Sequence, residues 1–178
     1  MSVTFLATGF EPFAEHRTNS SWDALCALKG AWPADMLAHC LPVDYQRAHE
    51  ELRKLLVLHE PRAVLCTGLA RSGFRVERVA RRPAALAGIA GAEQLEGSWP
   101  WPEMSTELAR AGEHAPESWD AGRYVCESTY WSLLSFRAAH GFPEYAAFLH
   151  VPPRSEEHPI ERIALAVGNV INARRLWL

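Results

Sequence analysis

The chain has 178 residues, which is enough for one well-buried domain and short for two. Hydrophobic residues make up 48% and charged residues 22% of the sequence, as in an ordinary soluble globular protein. The net charge of −3 gives no electrostatic reason to expect a nucleic acid or an anionic membrane as a partner, so a small neutral or zwitterionic ligand fits better. We therefore expect one domain over residues 1–178.

The N-terminus and the cysteines indicate where the protein works. The sequence contains no run of about 18 apolar residues, and its first residues lack the basic, apolar and small-residue order of a secretory signal. We therefore expect a cytoplasmic protein without membrane contact, in which the four cysteines are reduced. No two of them form a CxxC pair, and neither a metal site nor another cofactor is predicted.

Strands and helices alternate through the N-terminal half of the sequence. Apolar runs predict buried strands, and apolar residues at helical spacing predict helices between them. Strands that alternate with helices need crossover connections, so the sheet is expected to be mostly parallel. The predicted elements are a strand over 3–7, a helix over 20–30 capped by Asn19, a strand over 36–41, a helix over 44–60 and a strand over 63–66.

Two phenylalanines, Phe10 and Phe13, follow the first predicted strand. Gly9 permits a tight turn and Pro12 keeps the chain out of a helix, so this segment is predicted to be a loop. In one interpretation the two rings fold back into the core. In the other they form an apolar wall for a small ring-shaped ligand.

Glu77 lies in the next extended segment, which is predicted over residues 75–80. On charge alone, a glutamate among arginines is a solvated surface residue. Residues 81–102 carry several glycines, prolines and tryptophans and are predicted to be irregular, with a short helix after them over 103–111. Within the irregular segment, Trp99-Pro100-Trp101 is either an exposed anchor for a partner or a packed loop or oligomer contact.

Cys126 begins the most informative stretch of the sequence. Residues 123–125 read as the end of a short strand, and apolar residues at helical spacing then predict a helix from Cys126 to Gly141. At the start of a helix, unpaired backbone N–H groups and the helix dipole favour an anion, which is how a thiol becomes a reactive thiolate. The alternative is a buried cysteine that serves as a small hydrophobic residue.

The C-terminal part adds one strand and one helix. Residues 145–149 predict a buried strand that ends at His150. Residues 160–171 predict an amphipathic helix that packs on the sheet. A histidine at the end of a core strand is either a hydrogen-bonded structural residue or a functional one.

Glu77, Cys126 and His150 all lie in or next to predicted strands. Ligands of open parallel sheets bind outside the carboxyl ends of the strands, so these three residues are able to converge there. A thiolate nucleophile needs a histidine that takes and returns a proton, and that histidine needs an acceptor that orients it. We therefore predict a Cys126-His150-Glu77 triad.

Four motifs lie in a fixed order along the chain. They are Thr8-Gly9-Phe10-Glu11-Pro12-Phe13 with Asn19 and Trp22 behind it, Val76-Glu77-Arg78-Val79-Ala80, Ala121-Gly122-Arg123-Tyr124-Val125-Cys126, and Phe148-Leu149-His150-Val151-Pro152. With these motifs the chain resembles the pyroglutamyl peptidase I family, also called pyrrolidone-carboxylate peptidases, which are cytosolic cysteine peptidases that remove an N-terminal pyroglutamate. The resemblance implies a three-layer α/β/α sandwich with an open, twisted, mostly parallel sheet, and commonly a homotetramer.

The resemblance also implies roles for the residues of the triad. Cys126 would attack the carbonyl of the pyroglutamyl residue, and His150 would act as base toward the thiol and as acid toward the departing amine. Glu77 would hold the imidazole and stabilise its charged form. The implied substrate is a small peptide or amide with a blocked N-terminus.

The resemblance assigns five further residues to substrate binding. Phe10 and Phe13 would sandwich the flat lactam ring, and backbone groups near Tyr124 and Val125 would bind its amide. Asn19 would brace the loop that carries the two rings.

Parts of the sequence depart from the family pattern and keep alternatives open. The loop over 68–73 and the segment after Glu77 differ, and Glu127 places a carboxylate next to Cys126, where it opposes thiolate formation if it points toward the sulfur. One alternative is a divergent member with an altered amide or peptide substrate. Another is a catalytically silent relative that binds a small ligand, or a protein through Trp99-Pro100-Trp101.

Overall fold

The computed structural model describes residues 3–14, 16–176 and 178. None of the helices in these ranges is both long and apolar enough to cross a membrane. Short 3-10 turns at Lys29–Ala31 and Ala84–Leu86 complete the regular structure of this part of the chain. The strands and helices are β1 Phe5–Phe10, α1 Ser20–Leu28, β2 Met36–Leu41, α2 Tyr45–His59, β3 Ala63–Leu69, β4 Arg75–Glu77, β5 Val79–Arg81, β6 Gln94–Glu96, α3 Trp101–Arg110, β7 Glu117–Ser118, α4 Val125–His140, β8 Tyr145–Val151 and α5 Ile160–Arg175.

The main sheet has the strand order β2-β1-β3-β8-β4-β7. Strands β2, β1, β3 and β8 run parallel, whereas β4 runs antiparallel to β8, and β7 is parallel to β4. Helices α1, α3 and α5 pack together on one face of the sheet, and α2 and α4 pack on the other. The predicted α/β/α sandwich with an open, mostly parallel sheet is therefore confirmed.

The hydrophobic core lies in two layers, one on each face of the sheet. Side chains alternate between the faces along a strand. In β8, Ala147 and Leu149 pack under α1 and α5. Ala146 and Phe148 pack under α2 and α4. His150 therefore points to the face that α2 and α4 cover.

Helices α1 and α2 begin at side-chain caps. Asn19 Oδ1 accepts a hydrogen bond from the Ser21 N–H at 3.1 Å, as the sequence predicts for this cap. The Asp44 carboxylate accepts from the Arg47 N–H at 2.8 Å and begins α2 in the same way. These caps fix the starts of both helices close to the predicted positions.

Strand β1 begins two residues later than the strand predicted over 3–7 and ends three residues later. It continues to Phe10, which pairs with Leu41 of β2. A Cβ atom on Gly9 would lie 2.7 Å from the backbone oxygen of Ser21, so this glycine is needed for close packing of β1 against α1. The predicted turn at Gly9 is therefore wrong, and Phe10 is part of the sheet.

The extended segment predicted over 75–80 consists of two strands in different sheets. Strand β4 joins the main sheet, and β5 pairs antiparallel with β6 in a separate two-stranded sheet. Arg78 lies between them: its N–H donates to the Ser118 carbonyl at 2.7 Å, and its carbonyl accepts from the Gly97 N–H at 2.9 Å. These two bonds hold the chain where it passes from one sheet to the other.

The segment predicted to be irregular over 81–102 contains β6 and the start of α3. The helix begins at Trp101, two residues before the predicted start, because proline is tolerated in its first turn. Trp99 is only 5% exposed, and its ring meets the Phe5 ring edge to face at 5.9 Å between centroids. Trp101 packs against the same cluster. The packed-loop interpretation therefore fits these tryptophans, and the hypothesis of an exposed anchor loses its basis.

The short strand predicted over 123–125 is wrong. Tyr124 is the residue before α4, and Val125 is its first residue. The Asp120 side chain accepts a hydrogen bond from the Gly122 N–H at 3.1 Å, and Gly122 has a φ of 94°. This local bond and the left-handed glycine form a turn instead of a strand.

Candidate active site

The candidate residues meet on the face of the sheet that α4 covers. Gly68 of β3 and Arg75 of β4 both pair in register with His150 of β8, one on each side. Glu77 lies two residues after Arg75 and therefore on the same face. Helix α4 brings Cys126 against this surface, where it packs on the apolar cluster beneath the helix.

Glu77 and His150 form a buried hydrogen-bonded pair. Glu77 Oε1 lies 2.6 Å from His150 Nδ1, and the two side chains are 0% and 4% exposed. A carboxylate oxygen accepts hydrogen bonds, so Nδ1 is the donor, and in the neutral form of the ring the lone pair is on Nε2. The structure thus places the predicted orienting acceptor beside the predicted base.

The sulfur of Cys126 lies over Gly68. A Cβ atom on Gly68 would come within 2.8 Å of Cys126 Sγ and within 2.8 Å of Phe148 Cζ. The Phe148 ring lies 4.9 Å from the His150 ring between centroids. The thiol and the imidazole therefore occupy one small area of the sheet face, which only a glycine in β3 leaves open.

The environment of Cys126 does not lower its pKa. Burial raises the pKa of the thiol to about 12, and the nearby charge of Glu77 and the Cys66 thiol act in the same direction. The backbone N–H of Cys126 and the charge of Arg75 oppose them with smaller effects. The helix start was predicted to favour a thiolate, but burial is the stronger influence. The raised pKa favours the protonated thiol, so attack by the sulfur requires a base.

Tyr130 connects the cysteine-bearing helix to the strand that carries Glu77. Its hydroxyl donates a hydrogen bond to the backbone carbonyl of Glu77 at 3.1 Å. The buried Tyr130 ring also lies 5.6 Å from the Phe148 ring between centroids. The sequence analysis counts Tyr130 only as an apolar residue of the helix and misses this contact. Its hydroxyl group, which needs a hydrogen-bond partner when it is buried, is the signal that points to the contact.

Glu127 points away from the sulfur. Its Oε1 accepts a hydrogen bond from the Arg81 N–H at 3.1 Å and lies 4.0 Å from Arg81 Nη1. Burial raises the pKa of Glu127, and the Arg81 backbone and charge act against the rise. This carboxylate therefore binds strand β5, although it follows Cys126 directly in the sequence.

The two predicted ring-binding phenylalanines lie in different environments. Phe10 is 2% exposed and belongs to the cluster against which Cys126 packs. Phe13 is 37% exposed on the loop after β1. Asn19 is buried, and its Nδ2 donates to the Glu11 carbonyl at 3.1 Å, which ties that loop to the start of α1.

Tyr124 and Val125 lie at the start of α4. Tyr124 is 71% exposed, and Val125 is buried. Unlike the caps of α1 and α2, the Tyr124 side chain accepts no hydrogen bond from the first turn of the helix. The backbone N–H groups of that turn are therefore not occupied by a side-chain cap.

Replacing Gly68 with alanine should displace the thiol. The added Cβ forces a shift of either Cys126 Sγ or the buried Phe148 ring, because both lie 2.8 Å from it. A misplacement of about 1 Å costs roughly 100-fold in rate, so we expect kcat/KM to fall by about 10- to 100-fold. Gly30→Ala is the matched control, since a Cβ atom there meets nothing within 4 Å. Steady-state kinetics and thermal unfolding of both variants check this, and a Gly68→Ala enzyme within two-fold of wild type would contradict it.

The fold and the site together define a class of protein. A cysteine on the same sheet face as a histidine that a buried carboxylate orients is the set of groups that a cysteine hydrolase needs. All four cysteines are free thiols. In the described ranges 3–14, 16–176 and 178, no group of three histidine, cysteine, aspartate or glutamate side chains is arranged to hold a metal ion.

Comparison with known proteins identifies the family. The sequence profile of pyroglutamyl peptidase matches residues 3–96. Pyrrolidone-carboxylate peptidase 1 of Ralstonia nicotianae is 32% identical over 167 residues, which cover 84% of this chain and 78% of that protein. The pyrrolidone-carboxylate peptidase of Bacillus subtilis is 26% identical, with 99% and 91% of the two chains covered. The chain belongs to the pyroglutamyl peptidase family and is a cysteine peptidase.

Solved structures of the same family have the same fold. A mutant pyrrolidone carboxyl peptidase of the hyperthermophile Pyrococcus furiosus superimposes with a TM-score of 0.85 at 25% identity and covers 98% of this chain and 99% of its own. Pyroglutamyl peptidase I of Bacillus amyloliquefaciens gives a TM-score of 0.80 at 25% identity, with 93% of each chain covered. The similarity therefore spans nearly the whole chain, including the parts that carry Cys126 and His150.

Proposed function

We propose that this protein removes an N-terminal pyroglutamyl residue from peptides by nucleophilic catalysis through Cys126, His150 and Glu77. The observation that carries the proposal is the buried 2.6 Å contact between Glu77 Oε1 and His150 Nδ1, on the sheet face against which Cys126 packs. Membership of the pyroglutamyl peptidase family supports the substrate class.

In the first step, Cys126 Sγ attacks the carbonyl carbon of the peptide bond after the pyroglutamyl ring. Because burial keeps the thiol protonated, His150 Nε2 takes the proton as the C–S bond forms. Glu77 holds the ring through Nδ1 and stabilises the imidazolium that results. His150 then gives this proton to the departing amine, the C–N bond breaks, and a thioester remains on Cys126.

In the second step, water releases the product. The water oxygen attacks the thioester carbon while His150 takes a proton from the water. His150 then gives this proton to the sulfur as the C–S bond breaks. In both steps a negative charge develops on the carbonyl oxygen. The backbone N–H groups at the uncapped start of α4 are the donors closest in sequence to the sulfur, and each such donor stabilises an oxyanion by about 3 kcal/mol.

The substrate ring is proposed to bind between the loop after β1 and the start of α4. Phe13 offers the exposed apolar surface, and Phe10 forms part of the buried layer on which Cys126 rests. Asn19 braces the Phe13 loop through the Glu11 carbonyl. Backbone groups near Tyr124 and Val125 would bind the lactam amide.

The catalytic thiol also supports the predicted location of the protein. A reactive cysteine persists in a reducing compartment, which agrees with the cytoplasmic location expected from the sequence. The homo-oligomer implied by the resemblance remains a prediction, as does the extent of the single domain.

Hydrolysis of a chromogenic pyroglutamyl amide tests the proposed function. We expect the purified protein, kept reduced, to release the chromophore from the pyroglutamyl amide and to leave the matched prolyl amide intact, because the proline ring lacks the lactam carbonyl. An acetyl-alanyl amide tests the alternative of a changed substrate with a blocked N-terminus. Turnover of the acetyl substrate alone would overturn the pyroglutamyl assignment, and no turnover of any of the three would overturn the proposal of an amidase.

A further inference from the structure

Arg75 lies next to the hydrogen-bonded Glu77 and His150 side chains. It lies directly opposite His150 on the neighbouring antiparallel strand, so their side chains stand side by side on one face of the sheet. Its Nε lies 3.8 Å from Glu77 Oε1, the oxygen that also contacts His150 Nδ1. One carboxylate oxygen is therefore shared between the histidine and the arginine.

The guanidinium of Arg75 is not consumed by a strong hydrogen bond to Glu77. At 3.8 Å the contact is an ion pair without a direct hydrogen bond. In the described part of the chain, the buried Nε of Arg75 and the buried Oε2 of Glu77 are both without a hydrogen-bond partner. The Arg75 side chain as a whole is 39% exposed, although its Nε is buried. Its charge therefore acts on the site mainly through space.

The titratable and charged groups near the Cys126 thiol come from five elements, β3, β4, β5, β8 and α4. Glu77 and Arg75 of β4 place one negative and one positive charge there, and both influence the thiol. Helix α4 contributes Glu127, but this side chain is engaged with Arg81 of β5. The titratable and charged groups around the thiol are Arg75, Glu77, Cys66 of β3, His150 of β8, and Glu127 with its partner Arg81.

We infer that Arg75 is an electrostatic positioning residue of the catalytic group: its charge offsets that of Glu77 at Cys126 and His150 and so sets the pH range in which the pair is active. This inference rests on the proposed roles of Cys126 and His150. A nearby positive charge makes the binding of a proton by Cys126 or His150 less favourable. Without Arg75, the negative charge of the buried Glu77 is no longer offset. Cys126 and His150 then bind their protons more tightly.

The pH–rate profile of an Arg75→Gln variant tests the inference. In the active enzyme, Cys126 and His150 together hold one proton. The acid limb of the pH–rate profile therefore reports the gain of a second proton by this pair, and the alkaline limb reports the loss of the one proton. Removing the positive charge should move both limbs of the kcat/KM profile to higher pH by roughly 0.5 to 1 unit, given screening at a partly exposed site. Arg75→Lys keeps the charge and should leave the limbs close to those of wild type.

Alkylation of Cys126 provides a second readout that needs no substrate. Iodoacetamide reacts with the thiolate, and mass spectrometry of the Cys126 peptide separates it from the other three thiols. At a fixed pH below the midpoint, we expect Arg75→Gln to react about three- to ten-fold more slowly than wild type, because a shift of 0.5 to 1 unit changes the thiolate fraction by that factor. High salt screens the charge of Arg75. It should therefore also slow the alkylation of the wild-type protein and reduce the difference in rate between the wild type and Arg75→Gln.

Arg62→Gln is the matched control. Arg62 also pairs with a glutamate, Glu144 at 2.8 Å, but it lies at the amino end of β3, whereas Gly68, which contacts Cys126, lies near the carboxyl end. Unchanged profiles in Arg75→Gln, equal shifts in Arg75→Lys, or equal shifts in Arg62→Gln would each overturn the inference. If Arg75→Gln fails to fold, a salt-independent alkylation rate in wild type overturns it. The alkylation result stands whether or not pyroglutamyl substrates are cleaved, so failure of the proposed function is distinguishable.

Discussion

Replacing Cys126 with alanine is expected to lower kcat/KM for a pyroglutamyl amide by at least about 10³-fold, since the covalent route through the thioester is lost. Cys126→Ser should be nearly as inactive. An alcohol gives up its proton even less readily than a thiol whose pKa is raised, so the proposed proton transfer to His150 becomes harder. Steady-state kinetics with thermal unfolding of each variant measure the effect.

Cys26→Ser is the control for this prediction. Cys26 is an exposed thiol on α1, the helix layer on the far face of the sheet from Cys126. We expect its replacement to leave kcat/KM unchanged within two-fold. Substantial turnover by Cys126→Ala, or a loss in Cys26→Ser that equals the loss in Cys126→Ser, would contradict the assignment of the nucleophile.

Replacing Glu77 with glutamine is expected to lower kcat/KM by about 10²- to 10⁴-fold while the fold is kept. The amide is almost the same shape as the carboxylate but presents one oxygen and one NH₂ group. If the NH₂ group faces His150 Nδ1, the ring must carry its proton on Nε2 and cannot accept the proton of the thiol. If the oxygen faces Nδ1, the tautomer is kept, but no negative charge stabilises the imidazolium.

Glu144→Gln serves as the control for the loss of a carboxylate. Glu144 forms an exposed ion pair with Arg62, and such pairs contribute little to stability. We expect wild-type kinetics from this variant. A Glu77→Gln enzyme that loses less than ten-fold in kcat/KM, with its thermal unfolding unchanged, would mean that His150 does not depend on Glu77 for its orientation.

The sequence predicts much of the fold because the periodic signals are local. The bounds of β2 match the prediction, and α1 and α2 begin at side-chain caps that act on the first turn of the same helix. The two short strands β4 and β5 are not separated by any such signal. The chain passes from one sheet to the other at Arg78 through bonds to Ser118 and Gly97, which are distant in sequence.

The candidate site is predicted only in part, because some of its contacts also join residues that are distant in the sequence. Glu77 and His150 are recognisable as a pair from the chemistry that a cysteine nucleophile needs, and the structure brings them within 2.6 Å. The close approach of the sulfur to Gly68 and the bond from Tyr130 to the Glu77 carbonyl depend on packing between elements. Burial is equally non-local, which is why a thiol at a helix start, expected to ionise readily, has a raised pKa.

The position of β8 in the sheet has a consequence for the newly made chain. This strand is the last in the sequence, yet it lies in the middle of the sheet, between β3 and β4. Within residues 3–14, 16–176 and 178, strands β4 and β7 therefore join the main sheet only through β8. Until the ribosome has released residues 145–151, Glu77 has neither its partner histidine nor its place beside the thiol. A chain that ends before residue 145 therefore contains Cys126 and Glu77 but lacks the histidine that pairs with Glu77, and we expect it to be inactive.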